Sequence, residues 1–362
     1  MKVALVYDRV NKWGGAERVL LALHELFPDA PLFTSVYNSK TAGWADEFDV
    51  KSSFLQSFPF ASTTHELYPL LMPIAFESFT FDDYDLVISI TSEAAKGIIT
   101  KPQTRHLCYC LTPTRYLWSG YEMYFTNPLL RFLAAPFLWY LRLWDKIAAH
   151  RPDHFVAISE EVKSRIKKYY SLESSLVYPP VSLGITHQPA KKVTQSKDYF
   201  LVVSRLVPYK RIEIAVEACT KLKLPLVVIG TGSESEKLKA LAGPTVTFLG
   251  NVSDDDLANY YRNAKALIFP GVEDFGITMV ESLAFEIPVI AYKAGGALEI
   301  VKQLVTGLLF ETQTTKGLMK ALVSFNPDAF SASTLQKEAE KFSTVHFKKS
   351  FMEEVKKLFA NS

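Results

Sequence analysis

Short apolar runs of strand length alternate with helical patterns along this chain, and the alternation occurs in both halves. Runs that are apolar at nearly every position predict strands buried on both faces, as in parallel sheets. Strands that alternate with helices predict doubly wound α/β domains. In the first half the predicted strands are Val3–Tyr7, Leu32–Tyr37, Leu86–Ile90, His106–Leu111 and Phe155–Ile158. In the second half they are Phe200–Val203, Leu226–Ile229, Val246–Leu249, Ala266–Phe269 and Val289–Tyr292. The chain is therefore predicted to be an α/β protein with two doubly wound domains.

The length of 362 residues supports this division, because a single hydrophobic core stops growing at about 250–300 residues. The boundary is predicted within Val177–Val181, where the pair Pro179-Pro180 suits a stiff connector better than a helix or a central strand. We expect one domain over residues 1–180 and a second from residue 181. The polar tract Gly184–Asp198 follows the boundary, and a new strand is expected to begin at Tyr199.

Composition and spacing exclude several classes of protein. A formal net charge of only +2 argues against nucleic acid as a partner. The chain has three cysteines without a Cys-x-x-Cys pair and seven histidines without metal-ligand spacing, so we expect neither a disulfide framework nor a metal site. The first apolar run is short and predicts a strand rather than a signal peptide, which together with reduced cysteines favours a cytoplasmic protein.

The segment Pro128–Trp144 is rich in Leu, Phe, Trp and Tyr, but two arginines and Pro136 interrupt it. A membrane-spanning helix needs about 20 mostly apolar residues, which this segment lacks. One interpretation is a helix pair packed into the core of the first domain. The other is an interfacial helix, with Trp139, Tyr140 and Trp144 at the level of lipid headgroups, which would give the protein a peripheral contact with a membrane.

The segment Glu273–Glu281 follows the predicted strand Ala266–Phe269, and a helix is expected to run from near Gly276 to about Phe285. The exposed N–H groups and positive dipole end of such a helix form an anion site that suits a diphosphate. Glu273 lies at the carboxyl end of the strand, where open α/β sheets bind ligands, and Glu281 lies further along the helix. A carboxylate accepts two hydroxyl donors at once, as sugar or ribose binding requires. Two glutamates eight residues apart also fit a plain helix surface, but the strand–loop–helix context favours a site.

A second candidate element comes directly after the strand Phe200–Val203 and contains Arg205 and Lys210. Cations are unfavourable at the start of a helix, so their position favours a functional role over a solvated surface. Both would lie at the same edge of the same sheet as Glu273, where they would neutralise a leaving diphosphate without a metal.

Two glycine motifs are weaker signals. Gly14-Gly15 lies between the first strand and an amphipathic helix, where paired glycines allow a ligand to approach the backbone closely. Gly230-Thr231-Gly232 lacks the third glycine of a dinucleotide fingerprint.

With these residues, the chain resembles the retaining family 4 glycosyltransferases of the GT-B fold, in which two Rossmann-like domains face each other across a cleft. The resemblance covers nearly the whole chain and is strongest from Tyr199 to Phe310. Glu273 and Glu281 fit the family's motif of two glutamates separated by seven residues. Arg205 and Lys210 fit its diphosphate-binding pair, and Gly14-Gly15 fits its N-terminal glycine loop.

The resemblance implies a role for each of these residues. It assigns catalysis to Glu273, Arg205 and Lys210, with Glu273 on the donor sugar and the two cations on the leaving diphosphate. It assigns Glu281 to the ribose. The other expected donor-binding residues are Gly14, Gly15, Phe275, Gly276, Gly230 and the main-chain amides of Ile277 and Thr278. Residues 181–344 would bind the nucleotide sugar, and residues 1–180, joined by a C-terminal helix within 345–362, would face the acceptor.

Within the family, Cys110–Trp118 is most similar to bacterial mannosyltransferases of O-antigen and capsule assembly. The implied reaction moves a hexose, with mannose favoured, from a nucleoside diphosphate sugar, with GDP-mannose favoured. The acceptor would be a glycan or a polyprenyl-linked oligosaccharide. The transfer would retain configuration and need neither a metal nor another cofactor. Such an enzyme is expected in the cytoplasm, with peripheral contact with the inner face of the membrane as a further expectation.

One position departs from the family pattern. Related proteins often have a histidine where this chain has Leu111, and that histidine contacts the donor sugar. A leucine side chain cannot donate a hydrogen bond. Either Thr112 or His106 substitutes for it, or the donor preference differs. Thr112, Arg115 and His106 are the candidate acceptor-side residues.

Two alternatives remain open from the sequence. A nucleotide-sugar 2-epimerase has a similar fold but changes the free donor without an acceptor. An inactive glycan-binding relative would retain the fold and lose turnover, and Leu111 keeps this alternative open. The complete set of Glu273, Glu281, Arg205 and Lys210 argues against such decay.

Overall fold

The computed structural model describes residues 1–183 and 198–360, which form two compact units. Unit 1 comprises Met1–Pro180 and Phe347–Ser362, and unit 2 comprises Val181–His346. The predicted polar tract Gly184–Asp198 lies outside the described residues except for Asp198.

Within its described part, unit 1 contains a parallel sheet of seven strands. The strands are β1 (Val3–Tyr7), β2 (Leu32–Thr34), β3 (Val50–Ser52), β4 (Leu86–Thr91), β5 (Arg105–Cys110), β6 (His154–Ala157) and β7 (Ser175–Leu176). Their order is β3-β2-β1-β4-β5-β6-β7, so the strand order reverses between β1 and β4. The helices of this unit are α1 (Gly15–His24), α2 (Met72–Glu77), α3 (Tyr121–Tyr124), α4 (Pro128–Ala148) and α5 (Glu160–Tyr170).

Unit 2 repeats this topology with a parallel sheet that has six strands in the described residues. The strands are β8 (Tyr199–Val203), β9 (Leu226–Ile229), β10 (Val246–Gly250), β11 (Ala264–Phe269), β12 (Val289–Tyr292) and β13 (Gly307–Phe310). Their order is β10-β9-β8-β11-β12-β13, with the reversal between β8 and β11. The helices are α6 (Ile212–Leu222), α7 (Ser235–Leu241), α8 (Asp254–Arg262), α9 (Ile277–Ala284), α10 (Ala297–Ile300), α11 (Thr315–Ser324) and α12 (Ala332–Glu340), followed by α13 (Thr344–Ala360), which continues into unit 1.

The prediction of two doubly wound α/β domains is confirmed. The central strands are mostly apolar because helices cover both faces of each sheet, and all five residues of β1 are buried. Three strands were not predicted: β3, β7 and β13. All three lie at an edge of their sheet. β3 and β7 are short and bury none of their residues, whereas β13 buries three of its four residues and was missed for another reason.

The chain passes between the units at Pro180 and again near Phe347. In unit 2, Val181 pairs with Ser343 as an isolated parallel bridge, and its N–H donates to the carbonyl of Phe342 at 2.9 Å. In unit 1, α13 covers the ring of Tyr109 with Phe347 and Phe351, whose centroids lie 5.8 and 5.9 Å away. The last helix is therefore part of the first unit's core.

The expected helix pair over Pro128–Trp144 is wrong, because α4 is one continuous helix with Pro136 inside it. Asn127 caps its first turn by accepting from the amides of Leu129 and Leu130. Most apolar side chains of α4 are exposed, so the core-packed interpretation is also wrong.

The inner side of α4 is held by a buried ion pair. Asp145 accepts from Lys96 at 2.6 Å, and both side chains are almost fully buried. The same carboxylate accepts from Thr114 (2.8 Å), Trp118 (2.7 Å) and Tyr170 (2.8 Å). These four donors come from three parts of unit 1, so Asp145 joins α4 to the segment after β4, the segment after β5, and α5.

Candidate functional site

The predicted residues of unit 2 meet at the carboxyl edge of its sheet, where the strand order reverses. β8 pairs with β9 on one side and with β11 on the other. The segments that leave β8 and β11 therefore separate at this point and open a crevice, the usual ligand position in such sheets. The first segment contains Arg205 and Lys210, and the second contains Glu273.

Lys210 and Glu273 form an ion pair between their Nζ and Oε1 atoms. The two side chains are 15% and 14% exposed, so both charges are largely withdrawn from water. Lys210 ends a short 3-10 turn, Pro208–Lys210, and the left-handed backbone of Arg211 (φ 55°) then starts α6. The structure thus brings together a cation and a carboxylate that are 63 residues apart in the chain numbering.

Arg205 lies on the same segment and shares an aromatic neighbour with Lys210. Its Nη2 donates to the hydroxyl of Tyr209 at 2.7 Å, and Lys210 Nζ lies 5.3 Å from the centroid of the Tyr209 ring. Tyr209 therefore stands between the two predicted diphosphate-binding cations. Sequence analysis did not single out this residue, because a tyrosine in a basic segment carries no recognisable motif.

The helix start predicted near Gly276 is confirmed, since α9 begins at Ile277 with Gly276 as its N-cap. Gly276 has a φ of 100°, and a Cβ there would lie 2.4 Å from Cε of Met279. A residue with a side chain is therefore strained at this position. No side chain caps this helix, so the first-turn amides of Ile277 and Thr278 are presented with the positive end of the helix dipole.

Glu281 lies one turn further along α9 and is positioned by Tyr261 of α8. The Tyr261 hydroxyl donates to Oε2 of Glu281 at 3.0 Å. The Tyr261 ring stacks on Phe285, with centroids 5.1 Å apart and planes 9° apart. Tyr261 is a second residue that sequence analysis missed, because only the packing of α8 on α9 reveals it.

Gly230 contacts backbone in this structure. Its φ is 126°, and a Cβ would lie 1.9 Å from the carbonyl oxygen of Ser204. The neighbouring Thr231 carbonyl accepts from the N–H of Leu206 at 2.9 Å. The close approach holds the segment of Arg205 in place, and donor contact by Gly230 itself stays a prediction.

Phe342 and Gly296 hold Phe275 and the loop that contains Glu273 in place. The Phe275 ring is buried and packs edge-on against Phe342, with ring centroids 5.4 Å apart. Gly296, which follows β12, donates its N–H to the carbonyl of Glu273 at 2.9 Å. The pair Gly295-Gly296 directly after a strand was a readable signal of close backbone approach that sequence analysis did not use.

In unit 1, Gly14-Gly15 lies at the corresponding edge, exposed, at the start of α1. Asp8, just past β1, accepts from the amides of Ser92, Ala94 and Ala95 and so joins the two sides of the switch point.

Beside Asp8, Arg9 donates to Glu93 at 2.8 Å. Burial raises the pKa of Glu93, against the lowering effect of the Arg9 cation. Sequence analysis missed this polar group, because its members are far apart in the chain and no motif joins them.

Thr112 and Arg115 follow β5 at this edge of the unit 1 sheet. Thr112 is buried, and its hydroxyl accepts from Nη1 of Arg165 at 3.3 Å; Arg115 is half-buried. Their acceptor-side role stays a prediction.

His106 is a correction to the predicted site. It lies near the start of β5, four residues before the carboxyl end of that strand, and it is fully buried. Its Nε2 is 2.8 Å from the hydroxyl of Ser89 on β4. His106 therefore does not substitute for the histidine that Leu111 replaces.

The burial of His106 has an expected consequence for stability at acidic pH. Desolvation, helped by the Arg151 cation, lowers the pKa of His106 to about 3, whereas an unfolded histidine titrates near 6.5. The neutral ring stabilises the folded protein above about pH 6.5. As the pH falls below that value the unfolded state binds a proton that the folded state does not, so stability is lost at about 1.4 kcal/mol per pH unit.

This prediction is checked by urea unfolding between pH 7 and pH 4 for the wild type and His106→Gln. The variant removes the titrating group. Its unfolding free energy should therefore change less steeply with pH, by the amount that corresponds to about one bound proton. Equal slopes in the two proteins would show that His106 is protonated in the folded state.

The described ranges, 1–183 and 198–360, contain no group of three His, Cys, Asp or Glu side chains arranged to hold a metal ion.

Comparison with known proteins identifies several relatives of this chain. Residues 185–342 match the family model described as glycosyl transferases group 1. An uncharacterised glycosyltransferase of Methanocaldococcus jannaschii is 25% identical over 56% of this chain and 58% of its own length. The O-antigen chain mannosyltransferase C of Escherichia coli is 25% identical over 49% of this chain and 50% of its own length. The chain thus spans about half the length of these curated relatives.

Solved structures extend the likeness to the whole fold. Anabaena HepE, solved in complex with UDP, has a TM-score of 0.73 at 19% identity and is covered over 100% of its length by 99% of this chain. The sucrose-phosphate synthase of Thermosynechococcus elongatus also has a TM-score of 0.73, at 16% identity, with full coverage of both chains. At these identities the likeness concerns the fold.

Proposed function

We propose that this chain is a retaining, metal-independent hexosyltransferase that uses a nucleoside diphosphate sugar, since residues 185–342 match the model of the group 1 glycosyl transferases and the fold is GT-B. The observation that supports this proposal most directly is the convergence at one sheet edge of Lys210, Glu273 and the uncapped start of α9. A cation, a carboxylate and a helix N-terminus are the three groups that a diphosphate joined to a sugar requires.

The diphosphate would lie at the start of α9. The amides of Ile277 and Thr278 and the side chains of Arg205 and Lys210 would then stabilise the charge that develops on the leaving group. Since these groups are held by the fold before the ligand arrives, they need little reorganisation during the reaction. Fixed cations perform this task without a metal ion.

The ion pair of Lys210 with Glu273 would be exchanged for a new one when the donor binds, with the diphosphate replacing Glu273 as the partner of Lys210. A bound diphosphate competes with Glu273 for the ammonium group, and the carboxylate is then released to accept hydroxyl hydrogens of the sugar. Glu281, fixed on one oxygen by Tyr261, would accept from the ribose hydroxyls. The distance of one helical turn between Ile277 and Glu281 matches the separation of a phosphate from the ribose beside it.

We favour mannose as the sugar and GDP-mannose as the donor. This rests on relatives such as the GDP-mannose-dependent mannosyltransferase of Mycobacterium tuberculosis, 29% identical over 46% of this chain and 50% of its own length. Unit 1 would bind the acceptor, a glycan or a polyprenyl-linked oligosaccharide. A polyprenyl-linked acceptor would place the enzyme on a membrane surface during turnover.

The donor proposal is tested by thermal unfolding with GDP-, UDP- and ADP-sugars. A ligand at 100 times its dissociation constant stabilises the folded state by about 2.7 kcal/mol. We expect one nucleotide sugar to raise the melting temperature of the wild type and to lose this effect in Glu281→Ala. Glu236→Ala is the matched control, because Glu236 is an exposed helix glutamate of the same unit.

Two further outcomes separate the alternatives. If no nucleotide sugar changes the melting temperature, the donor site is assigned wrongly, and the glycan-binding alternative is preferred. If a donor binds and is converted to another sugar nucleotide without an acceptor, the chain is an epimerase, because a transferase leaves the donor nearly intact.

A further inference from the structure

The outward side of α4 is more apolar than its inward side. Six of its exposed residues define what we call the apolar face: Leu129, Phe132, Leu133, Trp139, Leu143 and Ile147. At 3.6 residues per turn they lie within about one third of the helix circumference. Phe132 and Trp139 are 76% and 69% exposed. Such a contiguous patch on a soluble protein marks a surface that another body covers.

The contacts on the inward side of α4 show that the apolar face is not a core-packing surface that has been turned outward. Four residues of the helix are buried: Leu138, Leu141, Asp145 and Ala148. One of them, Asp145, is an anion held by four donors. These contacts fix the rotation of the helix about its axis, so the apolar face cannot turn inward without breaking the buried ion pair.

The charges along α4 are complementary to an anionic surface. Asp145 is the single acidic residue from 128 to 148, and it is buried. The other charges are the cations Arg131 and Lys146, which are exposed, and Arg142, which is half-buried; all three lie along one flank of the apolar face. Arg142 lies 4.6 Å from the centroid of the Tyr121 ring, and Lys146 lies 5.5 Å from that of Trp118.

We propose that α4 is a lipid-docking helix that lies flat on an anionic bilayer, with the apolar face in the acyl boundary and its cations at the phosphates. An aromatic and aliphatic face bordered by basic residues is the composition of interfacial helices. Trp139 suits this depth because its ring is apolar and its N–H reaches the headgroups. No helix in the described part of the chain is long and apolar enough to cross a membrane.

The structure changes which aromatic residues take part. Trp144 was expected at headgroup level, but its Nε1 donates to Glu77 at 2.7 Å and its ring packs against the first unit's core. Trp139 and Tyr140 remain on the exposed side. A substitution of Trp144 would therefore test packing rather than docking.

The docking proposal rests on the proposed function in one respect: an enzyme with a lipid-linked acceptor must reach a membrane. Its test contains no nucleotide sugar. A failure of docking is therefore distinguishable from a failure of the donor site.

The test is co-sedimentation of the full chain with vesicles of phosphatidylcholine alone or with phosphatidylglycerol added. We expect the wild type to bind the anionic vesicles and the double variant Phe132→Ser/Trp139→Ser to bind them at least tenfold more weakly. The matched control is Val323→Ser/Val345→Ser, which removes two equally exposed apolar side chains elsewhere and should bind like the wild type. Arg131→Gln/Lys146→Gln should lose the preference for anionic vesicles. Thermal unfolding verifies that each variant is folded.

Three results would overturn the proposal. In the first, the wild type stays in the supernatant with both kinds of vesicle. In the second, the Phe132/Trp139 variant binds as tightly as the wild type, or the wild type shows no preference for anionic lipid. In the third, sedimentation velocity without lipid shows a dimer that this variant makes monomeric, which would identify the apolar face as a contact between two copies of the chain.

Discussion

Lys210→Met is expected to lower kcat of the transferase by about 10²–10³-fold, because it removes one fixed charge from the leaving diphosphate. Methionine keeps an unbranched side chain of similar length, so the change concerns the charge more than the packing. The substitution also leaves Glu273 as a partly buried carboxylate without its ammonium partner. We therefore expect a second, separate effect on stability, since a buried charge that loses its partner is costly. Steady-state kinetics and thermal unfolding measure the two effects independently.

The double variant Lys210→Met/Glu273→Gln separates catalysis from stability. It removes both charges, so the melting temperature should return towards that of the wild type while kcat stays low. Lys239→Met is the control, because Lys239 pairs with Glu236 on the surface of α7, where such a pair contributes little. A kcat for Lys210→Met within threefold of the wild type would exclude the role assigned to this lysine.

Asp145→Asn is expected to destabilise the protein by about 3–5 kcal/mol, the usual cost of removing one partner of a buried ion pair. For a unit of this size that corresponds to a fall in melting temperature of about 10 °C. Asparagine has the same shape but presents an NH₂ group to a site where four donors converge. Lys96 would then be buried without an anion. At present Asp145 outweighs the effect of burial and raises the pKa of Lys96.

The chain supplies a matched control for this prediction. Asp82 and Lys101 form an ion pair with the same 2.6 Å separation, but their side chains are 45% and 49% exposed. Asp82→Asn should change stability by no more than about 1 kcal/mol, because solvent screens an exposed pair. Chemical denaturation of both variants measures the difference. Equal and small effects would mean that the Asp145 network is as well solvated as the surface pair.

The sequence predicted those parts of the fold that follow from apolar pattern alone. The central strands of both sheets were found because their residues are apolar on both faces. The strand β3, with the sequence Val-Lys-Ser, and β7, with two residues, have no such pattern, since an edge strand is paired on one side only. The continuity of α4 was missed because Pro136 was treated as an interruption. A proline removes one backbone donor, but here the helix continues through it.

The residues of the candidate site were predicted one by one from the sequence. Which of them contact each other could be seen only in the folded structure. Glu273, Glu281 and the start of α9 follow from a strand, a loop and a helix that are contiguous in the chain. The contact of Lys210 with Glu273 depends on β8 lying beside β11, which local pattern does not specify. Tyr261 was missed because only the packing of α8 against α9 reveals it, and Tyr209 because a tyrosine in a basic segment forms no recognisable motif. His106 was misplaced because alternation within a strand tells which face a residue takes and not which end of the sheet it occupies.

The place of α13 in the fold sets an order for folding during synthesis. Chains leave the ribosome from the N-terminus, and domains generally fold as units as they emerge. Unit 1 is made first, yet Tyr109 stays uncovered until Phe347 and Phe351 have been added. His154 likewise has its partner Glu354, 3.0 Å away, only after the last helix has been synthesised. Unit 2, whose strands are contiguous in the chain, completes its sheet before then. The part of the chain that is translated first is therefore the part whose core closes last.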